Sequence, residues 1–130
     1  MKIILFVCVH NAGRSQMAAG FFNALNSAKL IAISAGTMPA SQVNPVVVQV
    51  MREKAIDVSK IIPRILTQEM ADAAHQIVTM GCSIEETCPS TFLAAEDWGL
   101  DDPAGQPLDK VRIIRDQVEL KVNELIGRES

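Results

Sequence analysis

A cysteine, five residues and then Arg-Ser make the stretch of this chain with the most chemical potential: Cys8-Val9-His10-Asn11-Ala12-Gly13-Arg14-Ser15. It follows the apolar run Ile3-Ile4-Leu5-Phe6-Val7, which reads as a strand buried on both faces. It precedes Met17, Phe21, Phe22 and Leu25, whose spacing predicts a helix from Ser15 to about Leu25. A strand-loop-helix junction of this length can wrap its backbone around a tetrahedral oxyanion. Val9, His10, Asn11, Ala12 and Gly13 would turn N–H groups inward, and the helix start adds its partial positive charge. Arg14 offers a planar, two-pronged donor to two of the anion's oxygens. The same field favours thiolate over thiol at Cys8 and suits it to act as a nucleophile. Ser15 is placed to hydrogen-bond the sulfur. Gly13 allows a tight turn, and Asn11 tolerates a left-handed conformation that would brace the loop. A lone Cys or Arg would be an ordinary buried thiol or solvated cation. The combined pattern is what favours a cradle. His10 either tunes it or points outward.

A second candidate is Asp102 in Trp98-Gly99-Leu100-Asp101-Asp102-Pro103-Ala104-Gly105. A residue before proline is pushed into an extended conformation, so Asp102 can project from its loop. When a thiolate displaces an oxygen from a tetrahedral oxyanion, the leaving hydroxide needs a proton, and a poised carboxyl group can give it. Asp101 fits the plainer role of a turn residue bonded to local backbone.

Cys82 and Cys88 enclose Ser83-Ile84-Glu85-Glu86-Thr87. With only His10 and His75 elsewhere, a zinc clip is a weak reading and no metal is expected. Two inert thiols are a second reading. The third is a relay in which Cys82 attacks Cys8 and Cys88 then attacks Cys82, each step an ordinary thiol–disulfide exchange. A helical Cys82–Cys88 segment would separate the pair by about 9 Å in rise alone. A disulfide needs Cα atoms closer than about 7 Å. Pairing therefore requires a loop there, or local rearrangement on oxidation.

The elements that must position these groups alternate along the chain. Leu30 to Ile33 reads as a second strand, and Asn44-Pro45 opens a helix running to about Ala55. Thr67 is an N-cap for a short helix through Ala73. Gln76 to Met80 reads as a third strand and Leu93 to Asp97 as a fourth. Asp109 to Ile126 closes the chain as a helix with Val111, Ile114, Val118, Val122 and Leu125 on one side. Alternation of this kind predicts a parallel sheet with helices on both faces.

Residues 1–130 suit one α/β domain, with 48% hydrophobic and 21% charged residues. A net charge of -3 gives no overall attraction for nucleic acid or anionic lipid, so any anion must be held locally. The first apolar run is too short for a signal peptide, and nothing approaches the roughly 20 apolar residues of a membrane span. A cytoplasmic monomer is expected, where thiols stay reduced and Cys8, Cys82 and Cys88 serve chemistry rather than structure.

These residues together resemble the arsenate reductases built on the low-molecular-weight tyrosine phosphatase fold. The match runs through Asn11-Ala12-Gly13-Arg14-Ser15-Gln16-Met17-Ala18, Ser34-Ala35-Gly36-Thr37, Val43-Asn44-Pro45, Thr79-Met80-Gly81-Cys82, Cys88-Pro89 and the Trp98-to-Gly105 stretch. The resemblance implies a four-stranded parallel sheet in flavodoxin-like order and reduction of arsenate to arsenite without a cofactor. It implies Cys8 as nucleophile, Arg14 and Ser15 as anion and thiolate binders, Asp102 as acid, and Cys82 and Cys88 as relay. Family members are usually regenerated by thioredoxin, and related enzymes with this Asn-Ala-Gly loop use a small thiol. Many relatives carry Glu where this chain has Ala19, and a cation site built on that Glu lacks its carboxylate here.

Three rivals share parts of the pattern. A protein tyrosine phosphatase of this fold uses the same cradle and acid, but it places aromatic walls just after the Asp-Pro, where this chain has Ala104-Gly105 and no Tyr anywhere. A phosphocarrier would need neither Asp102 nor the cysteine pair. A non-catalytic oxyanion-binding module would not need Cys8.

Overall fold

The computed structural model describes residues 2–25, 30–81 and 96–129. In chain order these form β1 (Lys2–Cys8), α1 (Arg14–Leu25), β2 (Leu30–Gly36), α2 (Pro45–Arg52), α3 (Gln68–Ala73), β3 (Gln76–Thr79), β4 (Glu96–Asp97) and α4 (Leu108–Glu129). The strands make one parallel sheet in the order β2-β1-β3-β4. This is the flavodoxin-like order, whose ligand crevice lies where the chain switches direction between β1 and β3. Cys8 is the last residue of β1 and stands at that switch point.

β1 is the central strand, and its side chains alternate between two cores, as the strand period of two requires. Ile4, Phe6 and Cys8 belong to a large cluster with α1, α2 and α4. Leu5 and Val7 belong to a smaller one, against which Leu66, Met70 and Ala74 pack on the opposite face. Phe6 sits at the centre of the larger core, with ring centroids 6.1 Å from Phe22 and 5.6 Å from Trp98. On α4, Val111, Ile114, Val118, Val122 and Leu125 are all buried, which is the helical stripe read from the sequence.

Several boundaries differ from that reading, each for a local reason. β2 continues past Ile33 because Ser34, Ala35 and Gly36 pair with Phe6, Val7 and Cys8. On the other edge Gly36 N donates to Arg64 O and Leu66 N to Gly36 O, so the extension has backbone partners on both sides. α2 stops at Arg52 rather than near Ala55. Ala55 takes a positive φ of 61°, and bonds from Ala55 N to Arg52 O and Ile56 N to Met51 O close the helix in a Schellman-type turn. α3 begins after Thr67, whose side chain accepts from Met70 N. The ladder of β3 ends at Thr79, one residue before Met80, and β4 is described at Glu96 and Asp97. Residues 93–95 of the expected fourth strand lie outside the described residues. Among the described residues no helix is long and apolar enough to cross a membrane.

The end of α2 is tied to α4 by charge. Glu53 accepts from Arg112 Nη2 at 2.8 Å and from Arg115 Nη1 at 2.6 Å, and Arg115 Nη1 also donates to Val50 O at 3.0 Å. Hydrogen bonds from Arg112, then Arg115, lower the Glu53 carboxyl from its ordinary 4.5 to about 2. A carboxylate whose pKa falls on folding stabilises the fold above its unfolded value, and loses that contribution as pH drops through the folded one. Glu53→Gln is therefore expected to lower the thermal midpoint at neutral pH. The gap to the unaltered chain should narrow between pH 4.5 and about 2. Melting curves of both proteins across that range check it, and a gap independent of pH would count against the clamp.

Candidate active site

Directly after Cys8 the chain turns back on itself and enters α1 at Arg14. The turn is made at Asn11, which is fully buried and adopts φ 50°. An L-residue holds that conformation only when its surroundings compel it, and asparagine is among the types that tolerate it. Four hydrogen bonds do so. Asn11 N donates to Cys8 Sγ at 3.2 Å, and Asn11 Nδ2 donates to Ser15 Oγ at 2.8 Å. Asn11 Oδ1 accepts from Arg64 N at 2.9 Å, and Asn11 O accepts from Gln16 Nε2 at 2.9 Å. Ser15 Oγ lies 2.9 Å from Cys8 Sγ. Because that oxygen already accepts from Asn11, its own proton can be given to the sulfur.

The remaining loop carbonyls are taken up by the segment after β2. Cys8 O, Val9 O, His10 O and Ala12 O accept from the N–H groups of Thr37, Met38, Ala40 and Asn44. A loop whose carbonyls are committed outward offers N–H groups inward, as an anion nest requires. Gly36 makes this closeness possible. A Cβ there would lie 2.5 Å from Val9 O and 2.9 Å from Asn11 N.

Arg14 is 4% exposed, and Nη1 donates to Leu100 O at 2.8 Å, Gly81 O at 3.0 Å and Met80 O at 3.3 Å. A buried cation needs such partners to offset its lost hydration. Arg14 Nη2 is 3.9 Å from Asp102 Oδ2. The other Asp102 oxygen accepts from Ala104 N at 2.9 Å. The turn bond expected of Asp101 is thus made by Asp102, one oxygen of which bonds its own loop instead of projecting freely. Asp101 instead pairs with Lys110 Nζ at 2.9 Å.

Cys8, His10, Ala12, Gly13, Arg14 and Asp102 line one cavity of about 300 Å³, with Ala40 to Pro45, Pro103 and Ala104 as the other walls. Among the described residues no Phe, Tyr or Trp lines it. Val9 is buried behind the cradle. His10 is at the rim, its Nδ1 donating to Met38 O at 3.2 Å. Cys82 and Cys88 lie outside the described residues. Gln16 and Gly36 were assigned no role from sequence. A polar residue followed by apolar Met17 and Ala18, and a glycine at a strand end, were the available signals. Behind the loop a cavity of about 170 Å³ is lined by Gln16, Ala19, Ser34 and Arg64 among others, with no carboxylate among the described residues.

The model of the low molecular weight phosphotyrosine protein phosphatases matches residues 3–129. The chain belongs to that family. Over 132 residues it is 35% identical to the glutaredoxin arsenate reductase of a Synechocystis species, covering 98% of each. It is 31% identical over 129 residues to the arsenate reductase of Staphylococcus aureus, again covering 98% of each. Two solved structures, an arsenate reductase in the phosphate binding state and one in the oxidized state, each share 34% identity with it. Each matches over the whole of both chains with a TM-score of 0.86.

Two glycines control the close approaches of this loop, Gly36 to its backbone and Gly13 to the Asp102 loop. A Cβ on Gly13 would lie 2.7 Å from Pro103 Cγ, so the bare backbone lets the Asp102 loop sit down on the cradle. Gly36→Ala is expected to push Val9 and Asn11 inward and weaken phosphate binding by about tenfold or more. Gly13→Ala is expected to leave phosphate binding largely intact and slow turnover by about 100-fold, the usual worth of a positioned acid. Calorimetric phosphate titration and turnover, run side by side, check the split. Equal loss in both variants would contradict it.

Proposed function

We propose that this chain reduces arsenate to arsenite. The observation that carries the reading is the setting of Cys8. Its sulfur is held by Ser15 and by Asn11 N, beneath a cavity that Arg14 and Asp102 also line and whose described lining has no aromatic side chain. That described lining suits a bare tetrahedral oxyanion and gives no flat apolar wall for an aryl ring. The arsenate reductases among its relatives support the same reaction.

In this reading arsenate enters the cradle, and the Cys8 thiolate attacks arsenic. A sulfur–arsenic bond forms and an arsenic–oxygen bond breaks. The oxygen leaves as water, taking its proton from Asp102. The Cys82 thiolate then attacks Cys8 Sγ. A Cys8–Cys82 disulfide forms, the sulfur–arsenic bond breaks, and its electron pair stays on arsenic, which departs as arsenite. Two thiols are thereby oxidised while arsenic gains two electrons. Cys88 next attacks Cys82, frees Cys8 and leaves a Cys82–Cys88 disulfide for an external reductant. That reductant is thioredoxin, glutaredoxin or a small thiol. A relative named for glutaredoxin supports the second.

A single-turnover assay tests the proposal. The fully reduced protein, freed of reductant without air, is given arsenate alone. Free thiols should fall from three per chain to one, with about one arsenite formed per chain. Three thiols and no arsenite would overturn the internal relay. Faster turnover of an aryl phosphate than of arsenate would favour the phosphatase reading.

A further inference from the structure

We propose that the His10 side chain sets the charge that the anion cavity accepts: protonated, it adds a second cation to the lining and draws in a doubly charged tetrahedral oxyanion. The inference deepens the oxyanion reading above and rests on it.

Three observations carry it. First, His10 lines the same cavity of about 300 Å³ as Cys8, Arg14 and Asp102. These four are the ionisable residues of the described lining, and the wall formed by residues 40–45 adds none. Second, the ring is held in place. His10 Nδ1 donates to Met38 O at 3.2 Å, while His10 O accepts from Ala40 N at 2.9 Å and Val9 O accepts from Met38 N at 2.8 Å. Side chain and backbone are thus clamped to one segment, the stretch after β2. Third, the charge of Arg14 is already engaged. Its Nη2 is 3.9 Å from Asp102 Oδ2, and its Nη1 donates to Met80 O, Gly81 O and Leu100 O.

The bond to Met38 decides how the ring takes up its charge. A carbonyl oxygen only accepts, so Nδ1 carries a proton in both charge states, and the charging proton is gained at Nε2. Protonation therefore adds charge without breaking the bond that holds the ring, and a charged donor strengthens that bond. Around it, an ionised Asp102 offsets Arg14, and a Cys8 thiolate adds a further negative charge. An imidazolium at the rim is then the surplus cation that an incoming dianion meets. Imidazole is the side chain whose charge changes between about pH 5 and 8, so the cavity's preference should change over that range.

Sulfate is the probe, because it stays a dianion throughout. The full-length unaltered chain, His10→Gln and His10→Arg are reduced, and sulfate affinity is measured by calorimetry at about pH 5 and about pH 8. Glutamine is neutral at both and can still donate to Met38 O, whereas arginine is charged at both. Cys8, Arg14 and Asp102 are common to all three proteins, so their contributions cancel in the comparison. The unaltered chain should bind sulfate about fivefold or more tighter than His10→Gln near the lower pH, and within about twofold of it near the higher. His10→Arg should bind more tightly than His10→Gln at both. An affinity ratio of unaltered chain to His10→Gln that is the same at both pH values would overturn the assignment, because a purely structural role weakens binding whatever the charge. So would His10→Arg binding no tighter than His10→Gln near the higher pH. If circular dichroism shows His10→Gln unfolded, His10→Asn carries the same comparison with the same outcomes. Failure of the arsenate reading would show differently, as no thiol loss with arsenate in the unaltered chain while the sulfate contrast persists.

Discussion

The left-handed turn at Asn11 is the constraint on which the rest of this structure depends. Its amide N–H points at the Cys8 sulfur, its side chain bridges Ser15 and the backbone of Arg64, and Gln16 holds its carbonyl. Three of these bonds are buried and the one from Arg64 is partly so, so each replaces a lost water contact of the buried Asn11. Together they convert an unfavourable backbone conformation into a fixed one. With Asn11 held, Ser15 is directed at the sulfur and the neighbouring carbonyls face outward.

The sheet explains why this turn stands where it does. In the β2-β1-β3-β4 order the loop after β1 opens at the reversal of direction, with β2 on one side and β3 on the other. Each neighbour makes a different contribution. The β2 side supplies Gly36 for close approach and the Thr37-to-Asn44 segment as donors to the loop carbonyls. The β3 side supplies Met80 O and Gly81 O, which with Leu100 O anchor Arg14. The guanidinium is thus held by backbone from the end of β3 and from the Asp102 loop, so the loop after β1, the Asp102 loop and the exit from β3 share one cation. Farther out, the Glu53–Arg112–Arg115 cluster fastens the end of α2 to α4.

Much of this was legible in the residues. The apolar run before Cys8, the helical stripe of α4 and the Thr67 cap are local signals, and local signals survive folding. Asn11 was legible as a brace because few residue types tolerate positive φ. What could not be read was long-range. Nothing in the sequence places Arg64 N on Asn11 or Gly36 against Val9, since those contacts depend on how β2 and the segment after it lie beside β1. The division between Asp101 and Asp102 was also misread at the level of bonding, because which carboxylate caps the turn depends on Lys110 from α4. The end of α2 was overestimated because an alanine, not a glycine, takes the left-handed position that closes it.

The most direct measurement is protection of Cys8 from alkylation by phosphate. Iodoacetamide modification of the reduced protein, followed at the Cys8 peptide by mass spectrometry, reports whether an oxyanion sits over that sulfur. Saturating phosphate is expected to slow Cys8 modification at least tenfold in the unaltered chain, and to give little protection in Asn11→Ala, where the turn loses its side-chain bonds. Cys8 alkylation that proceeds at the same rate with and without phosphate would contradict the account, because the loop would then hold a thiol but no anion.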